Sequence, residues 1–577
     1  MGEQKNLIIA FALALGVLLI WDTFVFQPER KRMEAELAAE EAAQKASQTV
    51  QAGADGISAP SAPALSPAAL PAARMDVLAA TERLPFENGQ IKGSIALTGG
   101  RLDDLTLTQY FETIEREDEV VLLSPGKTER PYYIEMGWIA PQGAVIAVPT
   151  AKTVWSASAA KLTPQTPVTL TWDNGAGLVF KRTYTLDENF LFSVEQSVEN
   201  TTSTPVQLFP YGQIFRRNLP ELENFFVLHE GPLGVFEGSL KEVDYDDIVD
   251  DGARSFKSTD GWVGITDKYW LTTLVPSQGE PFTAEMKQPR GFADAYIVNF
   301  REDPKTIPAG GSAGVTNAVF AGAKQVELID EYEEKLGIRL FDRTIDWGWF
   351  WFLTQPIFYA LKFIYNLVGN FGIAIIILTV GIKALLFPLA NKQFESFAKM
   401  KVLQPKMKAL QERFKDDKQK LQMEMMQLYK KEKVNPLSGC LPIFVQIPIF
   451  FSLYKVLFVT IEMRHAPFFG WIKDLSAPDP LTPVNLFGAL AFDPPQVIAI
   501  GIWPIIMGLS MWLQQKMNPT PMDPTQAKIM SFLPIIFTFI LAPFAAGLVI
   551  YWTWNNLLSI AQQWVIQRKV TAKTAET

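Results

Sequence analysis

The 577 residues include one cysteine, Cys440, and two histidines, His229 and His465. A single thiol excludes an intramolecular disulfide, so a domain outside the reducing cytoplasm must hold together by its core alone. So few histidines leave no His/Cys zinc cluster and little material for a Ser-His-Asp or Cys-His site. No Gly-rich phosphate loop occurs, so nothing points to nucleotide hydrolysis. A net charge of −9 argues against nucleic acid as a general partner, and no specific DNA binding is expected. The expectation is a chain without cofactor, metal or enzymatic activity.

What is present divides sharply along the chain. An apolar stretch, Leu7 to Phe26, follows a short N-terminus containing Lys5. It is longer than a typical signal-peptide core, and no small-x-small cleavage site precedes Glu29-Arg-Lys-Arg32, so residues 1–27 are expected to be an uncleaved signal-anchor helix. Residues 28–79 are rich in Ala, Pro, Ser and Gln and read as a tether. From 80 to 335 period-two alternation takes over. Val168-Thr-Leu-Thr-Trp172, Asp173-Asn-Gly175 and Leu178-Val-Phe180 form a strong hairpin signal that Phe190-Leu-Phe192-Ser-Val194 continues. Many short strands with such punctuation predict a large antiparallel β-sandwich.

The C-terminal 230 residues are dominated by apolar runs. Segment 345–368, with Trp347, Trp349, Trp351, Phe358, Tyr359 and Tyr365, suits an amphipathic helix in the membrane interface, broken at Pro356. Spans are expected at 370–390, 438–460, 495–516, 529–545 and 546–566, the last two reversing at Ala542-Pro-Phe-Ala-Ala-Gly547. With the anchor they make a polytopic α-helical membrane core of six spans. The 391–434 loop holds twelve Lys and Arg against six acids, and the tail 567–577 contains Arg568-Lys569. These basic segments should be cytoplasmic, which puts both termini inside and the β domain outside, in the periplasm of a Gram-negative cell.

The same loop is helical in pattern. Met400, Leu403, Met407, Leu410 and Phe414 step by three and four, as do Leu421, Met425 and Leu428 beyond Lys415-Asp-Asp-Lys418. Two such helices make an antiparallel coiled hairpin whose apolar stripe is its own seam, with Pro405 kinking the first arm. Its basic outer face suits anionic lipid headgroups or ribosomal RNA.

Lys383 is a lone cation in the apolar run Phe371–Ala390. An ammonium at that depth costs roughly 2.5–3.5 kcal/mol on insertion scales and marks a functional site by default. Snorkelling is the competing reading, across about 10 Å of helix rise to Ala390. Thr379 shares its helix face. Gln446 lies between Pro442 and Pro448 in the next span, while Tyr551, Asn555, Ser559 and Gln563 recur every fourth residue in the last. Individually such groups are more often helix–helix hydrogen bonds. Together with Lys383 they suggest a wet, positive groove. No Asp or Glu occurs in the cores of the five C-terminal spans, which argues against a cation-coupled transporter.

Several stretches are recognisable: Gln4-Lys-Asn6, Gly369-Asn-Phe-Gly-Ile-Ala-Ile-Ile-Ile-Leu-Thr379, Met400-Lys-Val-Leu-Gln-Pro-Lys406, Lys433-Val-Asn-Pro-Leu-Ser-Gly-Cys440, Gln446-Ile-Pro-Ile-Phe450 and Gly547-Leu-Val-Ile-Tyr-Trp552. With them the chain resembles the YidC-type membrane-protein insertases of the Oxa/YidC/Alb family, in their long Gram-negative form. The resemblance implies a five-span core, 369–566, around a hydrophilic groove open to cytoplasm and lipid. It implies a β-supersandwich in the periplasm, and insertion and chaperoning of nascent membrane proteins, alone or with the Sec translocon, with ribosome-linked delivery and membrane lipids as further partners. Lys383 matches the groove's positive residue, where many relatives carry arginine. Lys keeps the charge and loses the forked donors. Thr379, Tyr551 and Trp552 match groove-lining, substrate-contacting positions. Gln446 and Asn555 are expected beside them. Two rivals remain at this point: a solute transporter or channel, and a membrane-anchored carbohydrate enzyme using the sandwich.

Overall fold

The computed structural model describes residues 71–220, 228–292, 294–414, 417–432, 441–490, 492, 494–495, 498–518 and 524–575. The expected anchor at 1–27, most of the tether and Cys440 lie outside them. The described residues form two compact units, one comprising 71–349 with Val459–Glu462 and the other 350–458 with the residues from 463 onward.

In the first unit, described residues build a ten-stranded and a nine-stranded sheet, antiparallel throughout their named strands. The alternation read from sequence is the burial pattern found. Along Leu178–Leu186 every second side chain points inward, and Phe180 faces Trp172 across the hairpin. The turn is built by its own polar residues: Asn174 Oδ1 accepts the N–H groups of Ala176 (2.8 Å) and Leu178 (3.1 Å), and Gly175 takes φ +67°. Leu191–Asn200 pairs onward as expected, with Phe192 opposite Leu186. The core lies between the sheets, where Phe86 of one meets Phe192 of the other edge-to-face at 5.2 Å. Arg182 sits at an inward position of its strand. Its guanidinium donates to the Gly100 carbonyl (2.7 Å) and the Met136 carbonyl and lies over the Trp155 ring, so a buried charge is carried on backbone oxygens.

In the second unit, α1 spans Trp351–Val368, α2 Phe371–Leu385, α3 Phe387–Arg413, α4 Lys418–Lys431, α5 Leu441–Val459, α6 Ile502–Met517, α7 Pro524–Leu541 and α8 Ala546–Ala575. Helix α1 presents Trp351, Phe352, Tyr359 and Phe363 outward and buries Ile357, Phe358 and Leu361. It runs unbroken through Pro356, contrary to expectation, with one intrahelical bond given up at the Phe352 carbonyl. Gly369 ends α1 in the left-handed conformation (φ +69°), and Asn370 starts α2 by accepting the Ile373 N–H at 3.0 Å.

The expected span 370–390 is shorter as a helix. It stops at Leu385, and α3 leaves at 70°. Pro388, in the first turn of α3, has no N–H to extend the α2 ladder. The bend therefore falls here, whereas Pro405 sits inside the uninterrupted α3. Among described residues no single helix is long and apolar enough to cross a membrane; α2 and α3 pass that test together as a bent pair.

Arms α3 and α4 pack along the seam read from sequence. Leu403, Met407 and Met425 are buried, with Met400, Leu410, Leu421 and Leu428 against them. Asp417 caps α4 by accepting the Lys420 N–H at 3.0 Å, and Lys406 pairs with Glu432 across the hairpin (2.9 Å). Phe414 lies instead under Arg413 and Lys420, at 5.4 Å from each.

Helices α6 and α7 approach closely at Gly508, where an added Cβ would lie 2.0 Å from Thr538 Oγ1. That hydroxyl cannot swing away freely, being bound to the Pro534 carbonyl at 2.8 Å. Gly381 in α2 faces open space. Gly508→Ala is thus expected to lose about 1–3 kcal/mol through overpacking, and Gly381→Ala to gain up to about 1 kcal/mol of helix propensity. Thermal unfolding of the purified variants in detergent checks both. An equal melting temperature for the two would refute the close contact.

Candidate functional site

The site is assembled on α8, whose polar residues reach toward three neighbouring helices. Tyr551, buried, accepts a hydrogen bond from Gln446 Nε2 of α5 at 2.6 Å. Two turns on, Ser559 Oγ accepts from Lys383 Nζ of α2 at 2.7 Å and donates to the Asn555 carbonyl at 2.7 Å. Lys383 therefore rests on a neutral hydroxyl. Among the described residues no carboxylate lies within ion-pair distance of it.

The residues selected from sequence do not all converge. Thr379 is buried, and its hydroxyl is spent on the Ile375 carbonyl one turn back at 2.6 Å, so it makes no hydrogen bond to Lys383. Asn555 contributes its carbonyl rather than its amide. Trp552 lies edge-on to Phe450 of α5 (4.7 Å) and tilted against Phe537 of α7 (5.7 Å). Gln563, from the every-fourth-residue set, is buried and donates to Asn518 Oδ1 at the end of α6 (3.0 Å). Of the hairpin residues, Met400, Leu403, Met407, Met425 and Leu428 lie in the α3–α4 seam and Pro405 is exposed outside it; none takes part in these bonds.

Other polar residues were not anticipated. Asn556, buried on α8, donates to Ser510 Oγ of α6 at 2.9 Å, and the Ser510 hydroxyl donates in turn to the Met507 carbonyl (2.6 Å). Gln515 Nε2 of α6 donates to the Met530 carbonyl of α7. A sequence signal for that contact existed. Pro534 lacks an N–H, so the carbonyl four residues earlier has no partner in its own helix and must find one elsewhere. Nothing local, however, says which neighbour supplies it. Between α6, α7 and α8 lies a cavity of about 180 Å³, bordered by Trp552 and Asn556 and by Gln514, Gln515 and Asn518. Among the described residues no group of three or more His, Cys, Asp or Glu is placed to hold a metal.

Family comparisons match the chain in two parts. Residues 83–360 match the YidC periplasmic domain, and residues 363–573 match the 60Kd inner membrane protein family. The membrane protein insertase YidC of Methylorubrum extorquens (strain PA1) is 48% identical, covering 99% of this chain and 96% of its own length. Its counterpart in Granulibacter bethesdensis is 49% identical over 98% of each chain. A crystal structure of an active YidC insertase with its first transmembrane domain resolved is 19% identical, with a TM-score of 0.36, and covers 82% of this chain and 90% of that one.

Proposed function

From the premise that the chain belongs to the YidC family of membrane protein insertases, we propose that its uncompensated Lys383 draws polar or acidic segments of client proteins into the membrane core. The chain is an insertase of the inner membrane, and its substrates are nascent membrane proteins. The observation that carries the mechanism is the pairing of Lys383 with Ser559. A lysine bound to a carboxylate would present no net charge, whereas one bound to a hydroxyl keeps its charge. At an effective dielectric of about 20, it attracts an anion 6 Å away by about 3 kcal/mol.

The groove lowers the cost of moving a polar segment partway across. The apolar helix that follows then leaves sideways into lipid, and no covalent step is needed. Tyr551 and Gln446 hold α8 to α5 at one side of this path, with Thr379, Trp552 and Asn555 along it. In this reading the core spans 369–566, the hairpin 391–434 projects into the cytoplasm, α1 lies in the interface, and both termini are cytoplasmic. The β domain serves folding or partner docking. The Sec translocon and ribosome are the expected collaborators.

Single-cysteine accessibility tests the groove. In a Cys440→Ser background, Lys383→Cys should react with a membrane-impermeant maleimide from the cytoplasmic side of inverted vesicles and resist it from the periplasmic side of spheroplasts. Labelling from the periplasm would overturn a groove closed on that side and favour the open-channel rival.

A further inference from the structure

We propose that the cavity between α6, α7 and α8 is a second, uncharged subsite that binds a neutral segment of the inserted polypeptide. One bulky apolar side chain enters it while amides at its border pair with the segment's backbone. This inference rests on the insertase reading above and specifies a substrate class that Lys383 cannot select.

The lining argues for that ligand by exclusion and by fit. It carries no charged side chain, so neither an anion nor a cation finds a counter-charge. It does carry four amides, and three of them have committed one half to the protein. Gln515 Nε2 is held by the Met530 carbonyl, Asn556 Nδ2 by Ser510, and Asn518 Oδ1 by Gln563. The other halves, Gln515 Oε1, Asn556 Oδ1 and Asn518 Nδ2, make no hydrogen bond among the described residues, and neither does the side chain of Gln514. Two acceptors and a donor are thus held by bonds that cost nothing further when a ligand arrives. A lipid acyl chain would leave all of them unpaired. Two successive peptide groups, with two donors and two acceptors, supply a partner for each of them.

The remainder of the lining suits a side chain. Met511, Met530, Leu533, Pro534 and Trp552 are apolar, and the two methionines adapt to different shapes. An apolar cavity of about 150 Å³ takes up benzene, so 180 Å³ holds one aromatic or branched aliphatic side chain.

Two measurements on the full-length protein in cells test the subsite. Benzoylphenylalanine placed at Leu533 should crosslink to a translation-arrested membrane protein whose leading segment is uncharged. The same probe at Trp512, half-exposed and outside the lining, should not. No adduct at 533, or equal adducts at both positions, overturns the proposal. Separately, Leu533→Trp, which fills the cavity, and Gln514→Leu should each slow insertion of that uncharged client by about tenfold, with less than about a twofold effect on an acidic-tailed one. Equal insertion of both clients by these variants would remove the subsite and leave the Lys383 reading standing. Normal insertion of the acidic client by Lys383→Ala would remove that reading, while the crosslink at 533 still reports the cavity. Should Leu533→Trp fail to accumulate in the membrane, Gln514→Leu and the crosslinks decide.

Discussion

Lys383→Glu is expected to abolish insertion of a small, acidic-tailed membrane protein, Lys383→Ala to slow it by about a hundredfold, and Lys383→Arg to sustain it. The first figure follows from losing an attraction of about 3 kcal/mol, since each 1.4 kcal/mol is a factor of ten. The glutamate adds repulsion of similar size to that loss. Arginine retains the charge and brings a fork that can still donate to Ser559 Oγ, which accepts from Lys383 at 2.7 Å. Depletion of the endogenous protein, complementation with each variant at matched levels, and pulse-labelled insertion give the comparison. If all four proteins insert equally, Lys383 only snorkels, and groove polarity or the cytoplasmic hairpin must carry the activity.

Opening the hairpin should be nearly as damaging. Met407 is 7% exposed in the seam between α3 and α4, against Leu403 and Met425. Met407→Glu buries an unpaired carboxylate there and is expected to cost about 3 kcal/mol or more. A two-helix hairpin has little other cohesion. Among the described residues the arms share one ion pair, Lys406 with Glu432, and an exposed pair of that kind is worth at most about 1 kcal/mol. The arms should therefore separate. Trypsin added to inverted vesicles should cut within 387–431 far faster than in wild type, and complementation should fail. Met423→Glu, at a position 61% exposed on α4, is the matched control and should behave as wild type. A Met407→Glu protein that resists trypsin and complements would show that the seam does not hold the hairpin together.

The features legible in the sequence share one property: they repeat over short distances. Alternation along Leu178–Leu186 marks the sandwich because strand side chains have a period of two. The stripe from Met400 to Leu428 marks the hairpin because helical faces return every three to four residues. The features it misled on are proline effects. Pro356 reads as a break yet lies within a continuous helix, while the bend came at Leu386, before Pro388. A proline states which bond is missing. Whether the helix bends depends on what neighbouring elements offer in return, as Gln515 does for Met530 across from Pro534.

By itself, then, the sequence determined the division into a β domain and a helical core, the coiled hairpin, and the isolation of Lys383 from any acid on the expected spans. Each of these is written in composition or in a local period. Only the tertiary structure decided the partners of the buried polar groups. Lys383 and Ser559 are separated by 176 positions and Gln446 and Tyr551 by 105, and no local pattern encodes such pairs. It also turned one polar face of α8 toward several different helices and left an amide-lined cavity beside Trp552. The physical reason is the same in each case. A polar group in an apolar interior must find a partner, but its own neighbourhood in the chain dictates only the need, and packing of distant helices supplies the answer.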